Sequence, residues 1–222
     1  MKKYIPSCLK RYFLFFKNTI VNILILLKKI KKYYFKPSFP KVNKVGTNLH
    51  LGCGEIDHPA FINVDGFPFS NVHYVRNINN LSIFQDNSVD LIYASHCLEH
   101  FHYLEIPNVL KEWHRVLRKG GILRLSVPDF DLLLNIYYAQ NMNPDSIIPQ
   151  LLGGQNNKYN FHYMVFNKQN LKNRLLEVGF ENPIEWLPNS DVMTTFNDFS
   201  NYCKEIDNKK YPVSLNLEAT KI

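Results

Sequence analysis

The first forty-four residues contain no acidic side chain, although they hold twelve lysines and arginines between Lys2 and Lys44. The remainder carries fourteen basic against nineteen acidic residues, so the overall charge of +7 conceals a mildly acidic body. An acidic body repels a polyanion, and no nucleic-acid partner is expected. The four cysteines, Cys8, Cys53, Cys97 and Cys203, form no CxxC pair and no framework spacing. That excludes a disulfide scaffold and leaves a reducing compartment, the cytoplasm, as the expected location. No run of about 20 apolar residues is uninterrupted, because Lys17, Asn18 and Asn22 divide the best one. A membrane span is therefore not expected. A small-residue cleavage site is also missing, which argues against a signal peptide. Internal repeats and low-complexity tracts are absent.

What the basic arm does contain is a helical period. Tyr12, Phe13, Phe16, Ile20, Ile23, Leu24, Leu27 and Ile30 share one face of a helical wheel. Lys10, Arg11, Lys17, Lys28, Lys29 and Lys32 gather on the other, with Leu14, Val21 and Ile25 trespassing. A basic face opposite an aromatic-rich face suits a helix lying in the plane of an anionic membrane surface. The expectation is peripheral contact with the inner face of the cytoplasmic membrane through residues 9–32. The competing reading is packing on the domain itself or on a partner. Pro37 and Pro40 break the helix, so residues 1–44 read as an arm and 45–222 as the domain.

After Lys44 strand and helix signals alternate, which gives an α/β fold with a mostly parallel sheet. Strands are expected at 47–51, at 61–64 running into Asp65, and at 72–75, 90–94 and 122–127. Two more follow near 184–187 and 213–219. Residues 106–117 make the clearest helix, with Ile106, Val109, Leu110, Trp113, Val116 and Leu117 on one face and Gly120 as its left-handed cap. A second helix, about 168–178, is closed by Gly179. Residues 141–166 lack a clean period and hold Pro144, Pro149, Gly153 and Gly154, so they read as an inserted substrate-side segment.

The strongest local signal is strand–Gly52–Cys53–Gly54. Glycines directly after a buried strand let the backbone turn tightly and lie against a ligand that a Cβ would push away. Asp65 ends the next strand, where a carboxylate can accept both hydroxyls of a ribose. A dinucleotide fingerprint needs GxGxxG and an acid about 20 residues on. Here position 57 is Asp and the acid follows Gly54 by eleven residues, which disfavours NAD.

Residues 48–130 resemble the class I methyltransferases linked with cell-surface glycan synthesis. The matching stretches are NLHLGCG (48–54), FINVD (61–65), DNSVDLIYASHCLEHF (86–101) and EWHRVLRKGGILRLSVPDF (112–130), with LLGGQ (151–155) and LLEVGF (175–180) beyond. The resemblance implies a Rossmann-like, seven-stranded sheet whose last strand is antiparallel. It implies S-adenosylmethionine over the carboxyl ends of strands one, two and four. Gly52, Cys53 and Gly54 would approach its methionine part, Asp65 its ribose, Asn77 its adenine, and Ser95 and His96 its sulfonium. Where relatives place an acid at position 77, Asn77 offers an uncharged acceptor.

Methyl transfer is an in-line displacement, so alignment supplies most of the rate. An oxygen acceptor also loses a proton, and His96, His100, Asp129 and His162 are the candidate bases. His100 and His162 are preferred. His96-Cys97-Leu98-Glu99-His100 also fits HxxEH, an inverted zinc-protease signature. It comes straight off a strand and has no evident acidic third ligand downstream, so no metal is expected. The combined expectation is methyl transfer to a hydroxyl of a sugar, glycolipid or other envelope precursor, so that the partner is a small-molecule or glycan acceptor. A small-molecule or quinone methyltransferase and a non-catalytic assembly partner of the same fold are the rival readings.

Overall fold

The computed structural model describes residues 19–20, 22–28, 30, 47–157, 159–190, 193 and 197–222. The described residues between 19 and 30 are helical, and Ile20, Ile23, Leu24, Leu26, Leu27 and Ile30 are exposed. Among the described residues no helix is long and apolar enough to cross a membrane. The basic residues before position 19 and the break at Pro37 and Pro40 lie outside the described residues.

Seven strands build the main sheet. They are β1 (Asn48–Leu51), β2 (Ile62–Asp65), β3 (Tyr74–Val75), β4 (Val89–Ser95), β5 (Leu117–Pro128), β6 (Phe180–Glu185) and β9 (Ser214–Lys221). Their order is β3-β2-β1-β4-β5-β9-β6. The pairs from β3 through β5 are parallel, while β9 runs antiparallel to both β5 and β6. This is the expected Rossmann-like sheet with an antiparallel last strand. β7 (Cys203–Ile206) and β8 (Lys209–Pro212) form a separate hairpin.

Central parallel strands are covered on both faces and read as continuous apolar runs. β1 is buried along its whole length, and Leu49, Leu51, Val64, Ile92, Leu123 and Leu125 are fully enclosed. Helix α1 (Ile106–Val116) packs Ile106, Val109, Leu110, Trp113 and Val116 into one core. Burying each such side chain contributes roughly 1.5–3 kcal/mol. The Trp113 Nε1–H donates to the carbonyl of Ile78 at 2.8 Å, which fixes the loop after β3 against the helix. Phe61, Tyr93 and Trp186 pack together in a second, smaller core.

Several local expectations shift. Gly120 does not cap α1: the helix ends at Val116, Leu117 is already extended and pairs with Val89. Gly120, with φ of +71°, lies inside β5. β6 begins at Phe180 rather than at 184, because Asn182 (φ +51°) and Pro183 form an irregularity within the strand instead of a turn before it. Helix α2 (Phe130–Ala139) and the β7–β8 hairpin were not anticipated. The hairpin turns on Asp207 (φ +49°) and Asn208 (φ +60°), the two left-handed positions of a type I′ turn. The segment 141–166 contains helix α3 (Ile148–Leu152) and then an extended return to helix α4 (Lys168–Glu177).

Candidate functional site

The carboxyl ends of β1, β2 and β4 meet at a cavity of about 320 Å³. It is lined by Gly52, Asp65, Gly66, Asn77, Ile78, Asn79, His96, Cys97, His100, Phe101, Glu105 and Tyr159. Five of the residues singled out in the sequence, Gly52, Asp65, Asn77, His96 and His100, are therefore brought together there.

Gly52 turns the chain off β1 with φ of +66°, and its N–H donates to the carbonyl of Val64 at 2.9 Å. A Cβ added there would lie 2.8 Å from the Cβ of Cys97, so this approach of β1 to the end of β4 requires glycine. Gly54, with φ of +55°, sends its N–H to Asp65 Oδ2 at 2.9 Å. The N–H of Phe67 donates to Asp65 Oδ1 at 2.6 Å. Two backbone donors thus hold the carboxylate at the end of β2, and each oxygen keeps a lone pair for a ligand. Burial pushes the Asp65 carboxyl above its ordinary range, while the Phe67 and Gly54 N–H groups pull the other way.

Cys53, Gly54 and Ser95 are not among the residues lining the cavity. Cys53 is buried, with the Asn71 amide 3.8 Å from its sulfur, and Ser95 is 9% exposed. Asp129 is also displaced from it. Its Oδ1 accepts the N–H of Asp131 at 3.0 Å and caps α2, a role set by the helix start that follows it. Gly66, Asn79, Glu105 and Tyr159 carried no motif that would have marked them. Gly66 leaves room for Tyr159, whose ring would be 3.3 Å from a Cβ at that position.

At the β4 end of the cavity the chain bends through His96, a non-glycine residue with φ of +49°. Such strain persists where the surroundings over-determine it. A short 3-10 turn follows at Leu98–His100 and points Glu99 inward, fully buried. The returning loop of the 141–166 segment docks on this turn: the N–H of Tyr163 donates to the Glu99 carbonyl at 2.8 Å. That contact carries His162 to the same place. His96 Nδ1 lies 3.4 Å and His162 Nε2 3.9 Å from Glu99 Oε1. The His100 and His162 rings meet edge to face with centroids 4.8 Å apart. Burial lowers the His162 pKa. For Glu99 burial pulls upward, but the surrounding histidines outweigh it and hold the carboxyl below its ordinary range. His162 itself does not line the cavity; it stands behind His100.

Residues 63–125 match the family model described as a methyltransferase domain. The chain is 30% identical over 151 residues to the ubiquinone/menaquinone biosynthesis C-methyltransferase UbiE of Vibrio vulnificus strain YJ016, covering 62% of this chain and 57% of that one. It is likewise 30% identical over 145 residues to the enzyme of that name from Blochmanniella floridana, covering 60% and 52%. The match thus spans little more than half the length of these relatives. Among solved structures, a methyltransferase of Methanosarcina mazei aligns with a TM-score of 0.52 at 16% identity, over 82% of this chain and 94% of that one. A possible histamine N-methyltransferase of Thermotoga maritima aligns with a TM-score of 0.51 at 15% identity, over 82% and 84%. Those two likenesses concern the fold. The sheet order and these two solved structures give the chain the fold of class I methyltransferases, and residues 63–125 within it match the methyltransferase domain.

Proposed function

We propose that this class I methyltransferase transfers the methyl group of S-adenosylmethionine to a hydroxyl of a small acceptor, a sugar, glycolipid or other envelope precursor. The observation that carries the cofactor half is the Asp65 carboxylate, held by the N–H groups of Gly54 and Phe67 beside the open backbone of Gly52. A carboxylate so held can accept the two hydroxyls of a ribose, and Asn77, which also lines the cavity, can take the adenine amino group. The acceptor half is supported by the polar end of the cavity at His96 and His100.

In this reading the acceptor oxygen attacks the methyl carbon as the sulfur–methyl bond breaks. The bonding pair stays on sulfur and leaves a neutral thioether. The hydroxyl proton passes to His100. The carbonyl of Phe161 can accept only, so His100 Nδ1, 3.0 Å away, carries a hydrogen and its Nε2 holds the lone pair that takes the proton. The buried Glu99 carboxylate then stabilises the resulting imidazolium.

A second reading is methylation of a quinone carbon, favoured by the relatives' activity. The exposed apolar residues of the helix at 19–30 fit either acceptor if it is membrane-borne, through peripheral contact at the inner face of the cytoplasmic membrane. The test is transfer of radiolabelled methyl by the full chain to fractionated envelope precursors. Label in the glycan or lipid-linked fractions supports the first reading, and label in the quinone fraction the second. Label confined to soluble metabolites would exclude both.

A further inference from the structure

The carboxylate of Glu99 is fully buried, and among the described residues neither of its oxygens has a hydrogen-bond partner. Three histidines surround it, and the hydrogen bonds on their far sides decide which nitrogen faces inward. The Nδ1 of His162 is 2.9 Å from the carbonyl of Gln150, which can accept but not donate. That nitrogen therefore carries the hydrogen, and the Nε2 facing Glu99 Oε1 is a bare lone pair in the neutral ring. The same reasoning gives His100 a bare Nε2, since its Nδ1 serves the carbonyl of Phe161. The hydroxyl of Ser214 donates to the carbonyl of Phe199 at 2.8 Å, so it must accept from His96 Nε2 at 2.8 Å. In a neutral ring His96 then also turns a bare nitrogen, Nδ1, towards Glu99 Oε1 at 3.4 Å, and only a protonated ring donates to it. Lone pairs converging on a buried carboxylate repel unless a positive charge lies among them.

We propose that Glu99, His100 and His162 form a site for a divalent transition-metal ion at the acceptor end of the cavity. One ligating atom from each of the three lies within 4.8 Å of the others. Two imidazoles and a carboxylate are the donor set of sites that keep open positions, as in catalytic zinc and non-haem iron centres. Around one zinc ion such atoms stand about 3.4 Å apart at bond lengths of about 2.1 Å, a closure that small side-chain rotations achieve. The outer hydrogen bonds are those a metal site needs, because a ligating histidine donates its other N–H to a carbonyl or carboxylate. His96 Nδ1, 3.4 Å from the same Glu99 Oε1, stands outside this trio. With imidazole dominating, zinc, iron or cobalt is favoured over manganese, magnesium or calcium.

His100 lines the cavity, so the open positions of the ion face the acceptor. This rests on the methyl-transfer reading for its chemistry and changes the part of His100 in it from base to ligand. A hydroxyl bound to the ion loses its proton to water at a lower pH than a free one, and His100 and His162 then act as ligands. Acceptors with two neighbouring oxygens, able to chelate, are the class such an ion selects. The sequence carried part of this in HxxEH. The third ligand is a histidine sixty-two positions downstream, where an acidic residue was sought.

The test uses the full chain stripped with a chelator and titrated calorimetrically with zinc and with cobalt, and with S-adenosylhomocysteine in a separate experiment. Wild type is expected to bind one equivalent of at least one of these ions and to melt several degrees higher with it. Glu99→Gln and His162→Gln are expected to weaken that affinity by 10-fold or more, with far-ultraviolet circular dichroism reporting that each is folded. Cobalt loading adds a ligand-field spectrum that both variants lose. Wild type that binds S-adenosylhomocysteine but no stoichiometric ion overturns the metal site and leaves the methyltransferase reading intact; the missing charge is then a proton on a histidine. Ion binding undiminished in folded Glu99→Gln overturns the ligand assignment. An ion bound without S-adenosylhomocysteine keeps the site and removes the function on which its chemistry rests.

Discussion

Asp65 Oδ2 accepts the N–H of Gly54 at 2.9 Å, tying the end of β2 to the turn that leaves β1. The bond does two things at once. It gives a left-handed glycine a partner for its N–H, and it fixes the direction of a buried carboxylate. Neither strand end is positioned without the other.

Replacing Asp65 by Ala is therefore expected to act on binding and on stability. Hydrogen bonds to a charged acceptor contribute about 1.5–3 kcal/mol each, so losing two to a ribose lowers affinity by at least roughly 100-fold. The N–H groups of Gly54 and Phe67 also lose their acceptor, which costs about 1–3 kcal/mol for each left buried. Asp65→Asn keeps one acceptor oxygen and should fall between. Calorimetric titration of the full chain with S-adenosylhomocysteine measures the first effect and urea denaturation the second. Affinity unchanged in Asp65→Ala would remove Asp65 from the cofactor site.

The two glycines of the turn separate two costs that sequence alone merges. Both have positive φ, +66° at Gly52 and +55° at Gly54, and alanine pays about 1–2 kcal/mol for that conformation. At Gly52 the new methyl group also meets Cys97 Cβ at 2.8 Å, whereas at Gly54 nothing lies within 4 Å. Gly52→Ala should lower the stability measured in urea by clearly more than Gly54→Ala. Equal shifts in midpoint would mean that the approach of β1 to Cys97 is looser than its geometry states.

Much of this architecture was legible because it is local. Leu49 and Leu51 on a buried strand, the glycines after them and Asp65 after the next strand all lie within eighteen residues of one another. The amphipathic period of α1 likewise sits on one short stretch, and Trp113 falls on the face it indicated. Other features depended on partners far away in sequence. Asp129 looked like a base at a strand end, but the helix it caps was not recognised, and the cap fixes its role. His162 has no local signal at all; it reaches Glu99 because Tyr163 pairs with the Glu99 carbonyl across more than sixty residues. Asn182-Pro183 read as a turn and hid the start of β6, which tertiary pairing with β9 imposes.

The placement of His162 rests on Gly153 and not on its neighbour. A Cβ at Gly153 would lie 2.6 Å from the Asn160 carbonyl oxygen and 3.0 Å from the His162 ring, at a φ of +76°. At Gly154 the 2.6 Å contact is with the amide nitrogen of the Asn160 side chain, which can swing away. Gly153→Ala should therefore push the loop carrying His162 off Glu99. The expected result is a loss of 10-fold or more in turnover with S-adenosylhomocysteine affinity within about twofold, while Gly154→Ala stays near wild type. Measuring both constants for both variants decides it, and a Gly153→Ala enzyme of normal turnover would detach His162 from the reaction.

Acid stability should carry the mark of one buried histidine. His50 lies in the middle of β1, 1% exposed, with the rings of Phe61 and Tyr93 at centroid distances of 6.1 and 5.3 Å. Burial lowers its pKa from 6.5 to about 3, against the opposing charge of Asp198. Above pH 6.5 the ring is neutral in both folded and unfolded chains, so it adds no pH dependence there. Between pH 6.5 and 3 the unfolded chain binds a proton that the folded chain refuses. Stability therefore falls as the pH falls through that window, by about 4–5 kcal/mol for this group when the whole window is crossed. His50→Leu removes the titrating ring and keeps an apolar side chain on the strand. Its unfolding free energy, followed in urea from pH 7 to pH 4, should lose close to one proton's worth of slope relative to wild type. Parallel slopes for the two proteins would show that His50 is protonated in the folded state and that β1 accommodates the charge.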